Sequence, residues 1–129
     1  MDGREGFAFD YTVLRVVPRV ERQEFVNVGV VLFCKAKRFL DAKIDLEMSR
    51  LPYLSPQTDL LPIRARLAII PAICAGTLSI DAIHDWPQSE RFKWLAAPSS
   101  TVIQAAPAHR GLCFDPTERL ETLFGLFVA

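Results

Sequence analysis

One uninterrupted apolar run constrains the fold of this chain more than any other feature. Residues 28–34 read V-G-V-V-L-F-C, without a single polar side chain. Successive side chains of a strand point to opposite faces of its sheet, so a strand of this composition needs apolar cover on both faces over part of its length. The run therefore predicts a central strand in a sheet that is packed on both sides.

Two flanking strands are expected to complete an antiparallel meander. Residues 11–17 are rich in β-branched side chains and end at Pro18, which cannot donate to a ladder. After a short turn at residues 35–38, apolar and charged side chains alternate. The apolar set is Leu40, Ala42, Ile44 and Leu46, and the charged set is Asp41, Lys43 and Asp45. This period of two predicts that one face of the third strand meets water.

Capping and breaker residues predict the first two helices. One opens at Thr58 and Asp59 and ends at Gly76. Pro71 should kink or split it, because proline removes the hydrogen bond to the carbonyl four residues earlier. A second, short helix starts at Pro87 and ends before residue 98, and residues 101–104 read as a brief additional strand.

The C-terminal helix has the clearest start signal in the chain. Asp115 supplies the cap, Pro116 a first-turn proline and Glu118 a capping-box glutamate. Apolar residues follow at helical spacing, at Leu120, Leu123, Phe124 and Phe127.

Together these elements predict the α+β class. We expect a small antiparallel β-meander sheet of three to four strands, packed by helices that include a C-terminal amphipathic helix. The whole chain, residues 1–129, is expected to form a single domain, with residues 1–10 as a flexible N-terminal tail.

Charge and hydropathy narrow the classes of function. Lys plus Arg number 15 and Asp plus Glu number 15, so no net field attracts nucleic acid, and nucleic-acid binding is not expected. Residues 15–43 are locally basic, which suits an acidic partner or a phosphate, although solvated hairpin ends are commonly as basic. The longest apolar run, residues 67–75, contains a proline and is far shorter than the ~20 residues of a membrane helix. This predicts a cytoplasmic protein without a membrane association.

The cysteines and histidines do not form a recognisable metal or disulfide pattern. Cys34, Cys74 and Cys113 lie far apart, with no C-x-x-C pair, and only His84 and His109 are available as imidazole ligands. We therefore expect three small buried thiols in a reducing compartment, and neither a metal nor a cofactor.

Residues 91–111 concentrate hydrogen-bonding side chains, in the order R-F-K-W-L-A-A-P-S-S-T-V-I-Q-A-A-P-A-H-R-G. Ser99 or Ser100 with His109 and Asp115 supplies the residue types of a hydrolytic triad, but no G-x-S-x-G elbow is present. The structural interpretation is favoured: the hydroxyls satisfy backbone groups and Asp115 caps the last helix. No catalytic residue is predicted, and binding is favoured over catalysis.

A polar pocket for a phosphate, a nucleotide or an acidic peptide is a further hypothesis. An arginine that lies in a strand, such as Arg15, needs an acidic or hydrogen-bonding partner where it is buried. The candidate ligand-binding residues are Arg15, Arg22, Asn27, Arg91, Ser100, Thr101, Gln104 and His109. A structural ion-pair network, with Glu21 or Glu24 as the acid, explains the same residues and is favoured over the pocket.

Two blocks of the sequence resemble a known family. The first reads Y-T-V-L-R-V-V-P-R-V-E-R-Q-E-F-V-N-V-G-V-V-L-F-C, and the second combines R-F-K-W-L-A-A-P-S-S-T-V-I-Q with H-R-G-L-C-F-D-P. They resemble the bacterial family known as the domain of unknown function 3037, over roughly residues 11–128. The resemblance implies no established reaction. It does imply a protein partner, since members are often encoded beside a protein resembling a HipA-like kinase.

The chain departs from the pattern of the family at one position. Members of the family commonly carry an arginine before the Ser-Thr pair, where this chain has Ser99. If that arginine binds an anion in relatives, serine does not replace its bidentate donors. We therefore expect a non-enzymatic binding or regulatory module that acts with a protein partner such as the HipA-like kinase. The alternative is a phosphate- or nucleotide-handling domain or enzyme that binds an anionic small ligand in the Arg/Gln/His pocket.

Overall fold

Five antiparallel strands, four α-helices and one short 3-10 helix (Lys35–Lys37) form the regular structure of the residues that the structure describes. This computed structural model describes residues 6–17, 25–46, 60–77, 85–97 and 102–128. The strands are β1 (Phe7–Val16), β2 (Val26–Cys34), β3 (Phe39–Ile44), β4 (Ile103–Ala105) and β5 (His109–Cys113). The helices are α1 (Leu60–Ala68), α2 (Ile70–Ala75), α3 (Gln88–Leu95) and α4 (Pro116–Phe127). The predicted α+β class is confirmed.

The sheet is organised around β1. Strands β3, β2 and β1 are consecutive neighbours, as the predicted meander requires. The other edge of β1 holds β4 along its C-terminal part and β5 along its N-terminal part. The sheet thus has five strands, whereas three to four were expected. The flexible tail expected for residues 1–10 is also wrong for residues 7–10, because Phe7 and Phe9 belong to β1 and pair with β5.

Strands β4 and β5 run in the same direction along β1 and are separated by residues 106–108. Leu14 pairs with Ala105 of β4, and Tyr11 pairs with His109 of β5. Three residues of advance along β1 therefore lie opposite four residues of advance from β4 to β5. One additional residue is therefore accommodated between the two strands. The fully buried Thr12 holds this interruption, since its Oγ1 donates to the carbonyl of Ala106 at 2.6 Å.

Strand β2 is covered on both faces, as its composition predicts. Val31 and Phe33 pack toward α1, α2 and α3, whereas Val30, Leu32 and Cys34 pack toward α4. The sheet is thus the middle layer between two helical layers, and most of its buried apolar side chains belong to β1 and β2.

The predicted split at Pro71 is confirmed. Helix α1 ends at Ala68, and α2 restarts at Ile70 with Pro71 in its first turn, where the missing N–H is tolerated. Gly76 closes α2 in the left-handed conformation, with φ of 73°. The predicted caps at Thr58 and Asp59 lie outside the described residues. The buried side of the two segments consists of Ile63, Leu67, Ile70, Ile73 and Cys74.

The C-terminal helix begins as predicted and covers the second face of the sheet. The Asp115 carboxylate accepts hydrogen bonds from the backbone N–H of Thr117 and Glu118, at 3.0 and 3.5 Å. The charged side of β3 does not simply face water, because Lys43 pairs with Glu121 of α4. In the described residues, no helix is long and apolar enough to cross a membrane.

Candidate functional site

Three of the predicted site residues form a row across the sheet. Arg15 in β1 pairs directly with Asn27 in β2 on one side and with Gln104 in β4 on the other. Residues directly opposite each other in an antiparallel ladder share a face, with Cβ atoms about 5 Å apart. Since Ile103 and Ala105 pack toward α1, α2 and α3, Gln104 between them lies on the α4 face. We call Arg15, Asn27 and Gln104 the polar row.

A β-bulge in β2 brings Asn27 into the polar row. Leu14 pairs with Gly29 whereas Arg15 pairs with Asn27, so Val28 is an additional residue in the ladder. Simple alternation from Cys34 would place Asn27 on the other face of the sheet. The bulge shifts the alternation by one residue, and the side chain of Asn27 consequently reaches α4.

The polar row lies beside the C-terminal end of α4. Nδ2 of Asn27 donates to the carbonyl of Phe127 at 3.1 Å, which satisfies one of the last carbonyls of the helix. Cζ of Arg15 lies 4.5 Å from the centre of the Phe25 ring, a cation–π distance. Nε of Arg15 is buried and has no hydrogen-bond partner in the described residues. A guanidinium with an unused donor is suited to a carboxylate or phosphate oxygen.

His109 lies on the same face as the polar row but at a distance from it. It pairs with Tyr11 in the ladder, and the two ring centres are 5.7 Å apart. Tyr11 precedes Arg15 by four residues, which corresponds to about 13 Å along a strand. His109 therefore does not join Arg15, Asn27 and Gln104 in one cluster.

Arg91 lies on the opposite face of the sheet, away from the polar row. It is only 8% exposed, and its Nη1 donates to the carbonyls of Ile73 and Cys74, each at 3.0 Å. A cation at these carbonyls also meets the negative end of α2. Arg91 thus fastens α3 to α2. The remaining candidates, Arg22, Ser100 and Thr101, lie outside the described residues, as does Ser99.

The three cysteines are free and buried, as predicted. Burial, the largest cause, raises the pKa of the Cys74 thiol to about 12, with Asp41 raising it further and Arg91 opposing the shift. Burial also raises the pKa of Cys113. Nucleophilic cysteines need the reverse, a lowered pKa and an exposed sulfur, so Cys74 and Cys113 act as packing residues.

Sequence reasoning did not predict an apolar groove that borders β4 on the side of α2 and α3. This groove, which we call the Trp94 groove, has a volume of about 260 Å³ and lies between α2, α3 and β4. Its lining includes Arg66, Ile69, Ile73, Trp94, Leu95 and Ile103. Gln104 of the polar row also contributes to the lining, where β4 borders the groove. Trp94 is 46% exposed and Ile69 is 36% exposed.

The spacing of Phe92 and Trp94 in the sequence indicates that only one of them can face the sheet. Two residues apart on an α-helix correspond to about 200° of rotation, so Phe92 and Trp94 point to nearly opposite sides. Phe92 is buried and stacks on Phe33 at 5.9 Å between ring centres, and Trp94 consequently lines the groove.

Comparison with known proteins supports the family resemblance. A family model described as "Protein of unknown function (DUF3037)" matches residues 11–128. No curated protein and no solved structure matches the chain. Because the match covers nearly the whole sequence, both the polar row and the Trp94 groove lie within it. The chain therefore belongs to the DUF3037 family.

Proposed function

We propose that this chain is a non-enzymatic binding module, and that a protein partner docks in the Trp94 groove. The main support for this proposal is a concave apolar surface with a half-exposed tryptophan at its side. Large apolar side chains that line a surface groove are typical of interaction sites. Tryptophan is also among the residues that contribute most to binding when a partner covers it.

The walls of the Trp94 groove are held in place before any partner binds. Arg91 ties α3 to the carbonyls of Ile73 and Cys74 in α2, and Phe92 anchors α3 on the sheet through Phe33. A preformed groove loses little conformational entropy on binding, which favours affinity. Arg66 at the groove adds a cation that suits an acidic residue of the partner.

The HipA-like kinase implied by the family resemblance is the first partner to test. Binding of the purified kinase to the full chain is measured by isothermal titration calorimetry, with Trp94→Ala as the groove variant. Truncation of a hot-spot tryptophan costs about 2 kcal/mol or more, which corresponds to roughly 30-fold weaker binding. Trp86→Ala is the matched control, because Trp86 is 40% exposed and does not line the groove.

Two results would contradict this proposal. The absence of any complex with the kinase would remove the kinase as the partner. Equal losses of affinity in Trp94→Ala and Trp86→Ala would show that the Trp94 groove is not the contact surface, even if the complex forms.

A second candidate function is the binding of a small anionic ligand at the polar row. The favouring observation is the ladder register, which lines up Arg15, Asn27 and Gln104, together with the unpartnered Nε of Arg15. Inorganic phosphate and nucleotides are titrated while backbone amide shifts are followed by NMR. Arg15→Gln should abolish a saturable response, and Arg110→Gln should leave it unchanged, because Arg110 pairs with Asp10 far from the row. Shifts that persist in Arg15→Gln would refute this candidate.

A further inference from the structure

A second cavity lies at the other end of α3 from the Trp94 groove. It has a volume of about 470 Å³ and is lined by Phe33, Lys35, Arg38, Pro87, Gln88 and Ser89. Its two walls are the turn that joins β2 to β3 and the first residues of α3. The cavity is open to solvent on one side, so a ligand bound in it would stay partly exposed. We call it the turn cavity.

The two walls of the turn cavity are fixed relative to each other. Nε2 of Gln88 donates to the carbonyl of Arg38 at 3.0 Å, which ties α3 to the turn. The turn itself is closed by a hydrogen bond from the N–H of Arg38 to the carbonyl of Lys35 at 3.1 Å. Arg38 adopts the left-handed conformation, with φ of 50°, so the chain reverses sharply and both cationic residues line the same cavity.

The charged side chains that line the turn cavity are all positive. Lys35 and Arg38 contribute two cations, and none of the six lining residues is acidic. Neither cation forms an ion pair within the described residues. Ser89 and Gln88 add a hydroxyl and an amide to the lining. An anionic group bound here would meet two positive charges and neutral hydrogen-bonding side chains.

The base of the turn cavity is apolar. Phe33 is almost fully buried and is held by stacking on Phe92, and the Pro87 ring contributes a second apolar surface. A bare inorganic ion leaves these surfaces without a contact. A ligand that carries an apolar group beside its charge covers them and gains from removing apolar area from water.

We propose that the turn cavity binds a small amphipathic anion, an aromatic or aliphatic group that carries a phosphate or carboxylate. The anionic group lies between Lys35 and Arg38, and the apolar group lies against Phe33 and Pro87. This site is separate from the Trp94 groove and from the polar row, since it involves the start of α3 and the β2–β3 turn. It assigns a function to the locally basic segment around residues 35–38 that neither of the other surfaces uses.

The test uses phenyl phosphate as the probe, with inorganic phosphate and benzyl alcohol as partial analogues. Titrations of the full chain are followed by NMR through the amides of Gln88 and Ser89. Phenyl phosphate should give saturable shifts and bind about tenfold more tightly than inorganic phosphate, because part of its ring is buried. Benzyl alcohol, which lacks the charge, should give no saturable shift at these amides.

A charge variant separates this site from nonspecific binding. Lys35→Gln/Arg38→Gln should weaken phenyl phosphate binding by about tenfold or more, the usual loss when charged hydrogen bonds are removed. Lys93→Gln is the matched control, because Lys93 lies toward the other end of α3 and pairs with Glu90, and its affinity should stay within about twofold of the wild type.

Three outcomes would overturn the inference. The first is that the amides of Gln88 and Ser89 show no response to phenyl phosphate. The second is that the double variant binds phenyl phosphate as tightly as the wild type does. Equal affinities for inorganic and phenyl phosphate would also overturn it, because the apolar base of the cavity would then take no part in binding.

Discussion

Gly111→Ala is expected to destabilise the protein, although glycine is an unfavourable residue in a strand. Gly111 lies in β5 directly opposite Phe9 of β1. A Cβ atom at this position would lie 2.8 Å from Cζ and 2.9 Å from Cε1 of the Phe9 ring. Ordinary contacts of a Cβ atom lie between 3.4 and 4 Å. The alanine methyl group therefore displaces the ring or the strand.

The packing around Phe9 sets the size of the effect. Phe9 is 3% exposed and packs in the cluster beneath α4 with Leu32 and Leu120, so its ring has little space to move. Insertion of a methyl group into a packed core costs about 1–3 kcal/mol, and the removal of a strand glycine recovers about 0.5–1 kcal/mol. Because the Phe9 ring has little space to move, the cost lies in the upper half of its range, and the net loss is about 1–2.5 kcal/mol. This lowers Tm by roughly 3–10 °C in a domain of this size.

Urea unfolding followed by circular dichroism measures this loss, and Gly125→Ala is the matched control. A Cβ atom at Gly125 in α4 meets nothing within 4 Å, so alanine should stabilise the helix by up to about 1 kcal/mol. Phe9→Leu should partly rescue Gly111→Ala, since leucine lacks the clashing ring atoms. A wild-type unfolding midpoint for Gly111→Ala, or strict additivity with Phe9→Leu, would refute the reasoning.

Three further substitutions test other parts of the structure. Thr12→Val leaves the carbonyl of Ala106 without its side-chain donor and should cost about 1–3 kcal/mol of unfolding free energy in urea, while Thr12→Ser retains the bond. Asp115→Ala should cost about 1 kcal/mol through loss of the α4 cap, and Asp115→Asn should restore most of the midpoint. Because burial raises the Cys74 pKa from 9.0 to about 12, the native state keeps a proton that the unfolded chain loses. The resulting stability is present below pH 9 and is lost as the pH rises toward 12, so wild-type protein should lose more stability between pH 8 and 10.5 than Cys74→Ala. Equal unfolding free energies for Thr12→Val and Thr12→Ser, or for Asp115→Ala and Asp115→Asn, would contradict the corresponding hydrogen bond. Equal losses of stability with pH in the wild type and Cys74→Ala would contradict the raised pKa.

The elements with strong local signals could be predicted from the sequence, and β5 could not. β2 has an unbroken apolar run, and α4 has a cap, a first-turn proline and periodic apolar residues. Residues 109–113 contain neither a β-branched nor a large aromatic side chain. They form a strand because they pair with residues 7–11 of β1, and sequence reasoning assigned residues 7–10 to a tail. Each half of that pairing is weak without the other.

The composition of the polar row was partly predictable, but its geometry was not. Arg15, Asn27 and Gln104 are recognisable in the sequence as polar residues within apolar segments. Their convergence depends on the bulge at Val28 and on β4 joining the edge of β1, which are tertiary features. Arg91 has similar chemistry, yet it satisfies carbonyls of α2 from a distant part of the sequence. No local pattern distinguishes these two kinds of arginine.

The interruption between β4 and β5 affects how separate molecules of this chain meet in solution. A continuous strand over residues 103–113 would present one long row of backbone donors and acceptors, and such edges recruit further strands from other chains. The actual border consists of strands of three and five residues, separated by a segment that contains Pro107, which has no N–H to offer. Neither piece is long enough to template an extended ladder, so the additional residue between them protects the sheet against edge-to-edge aggregation.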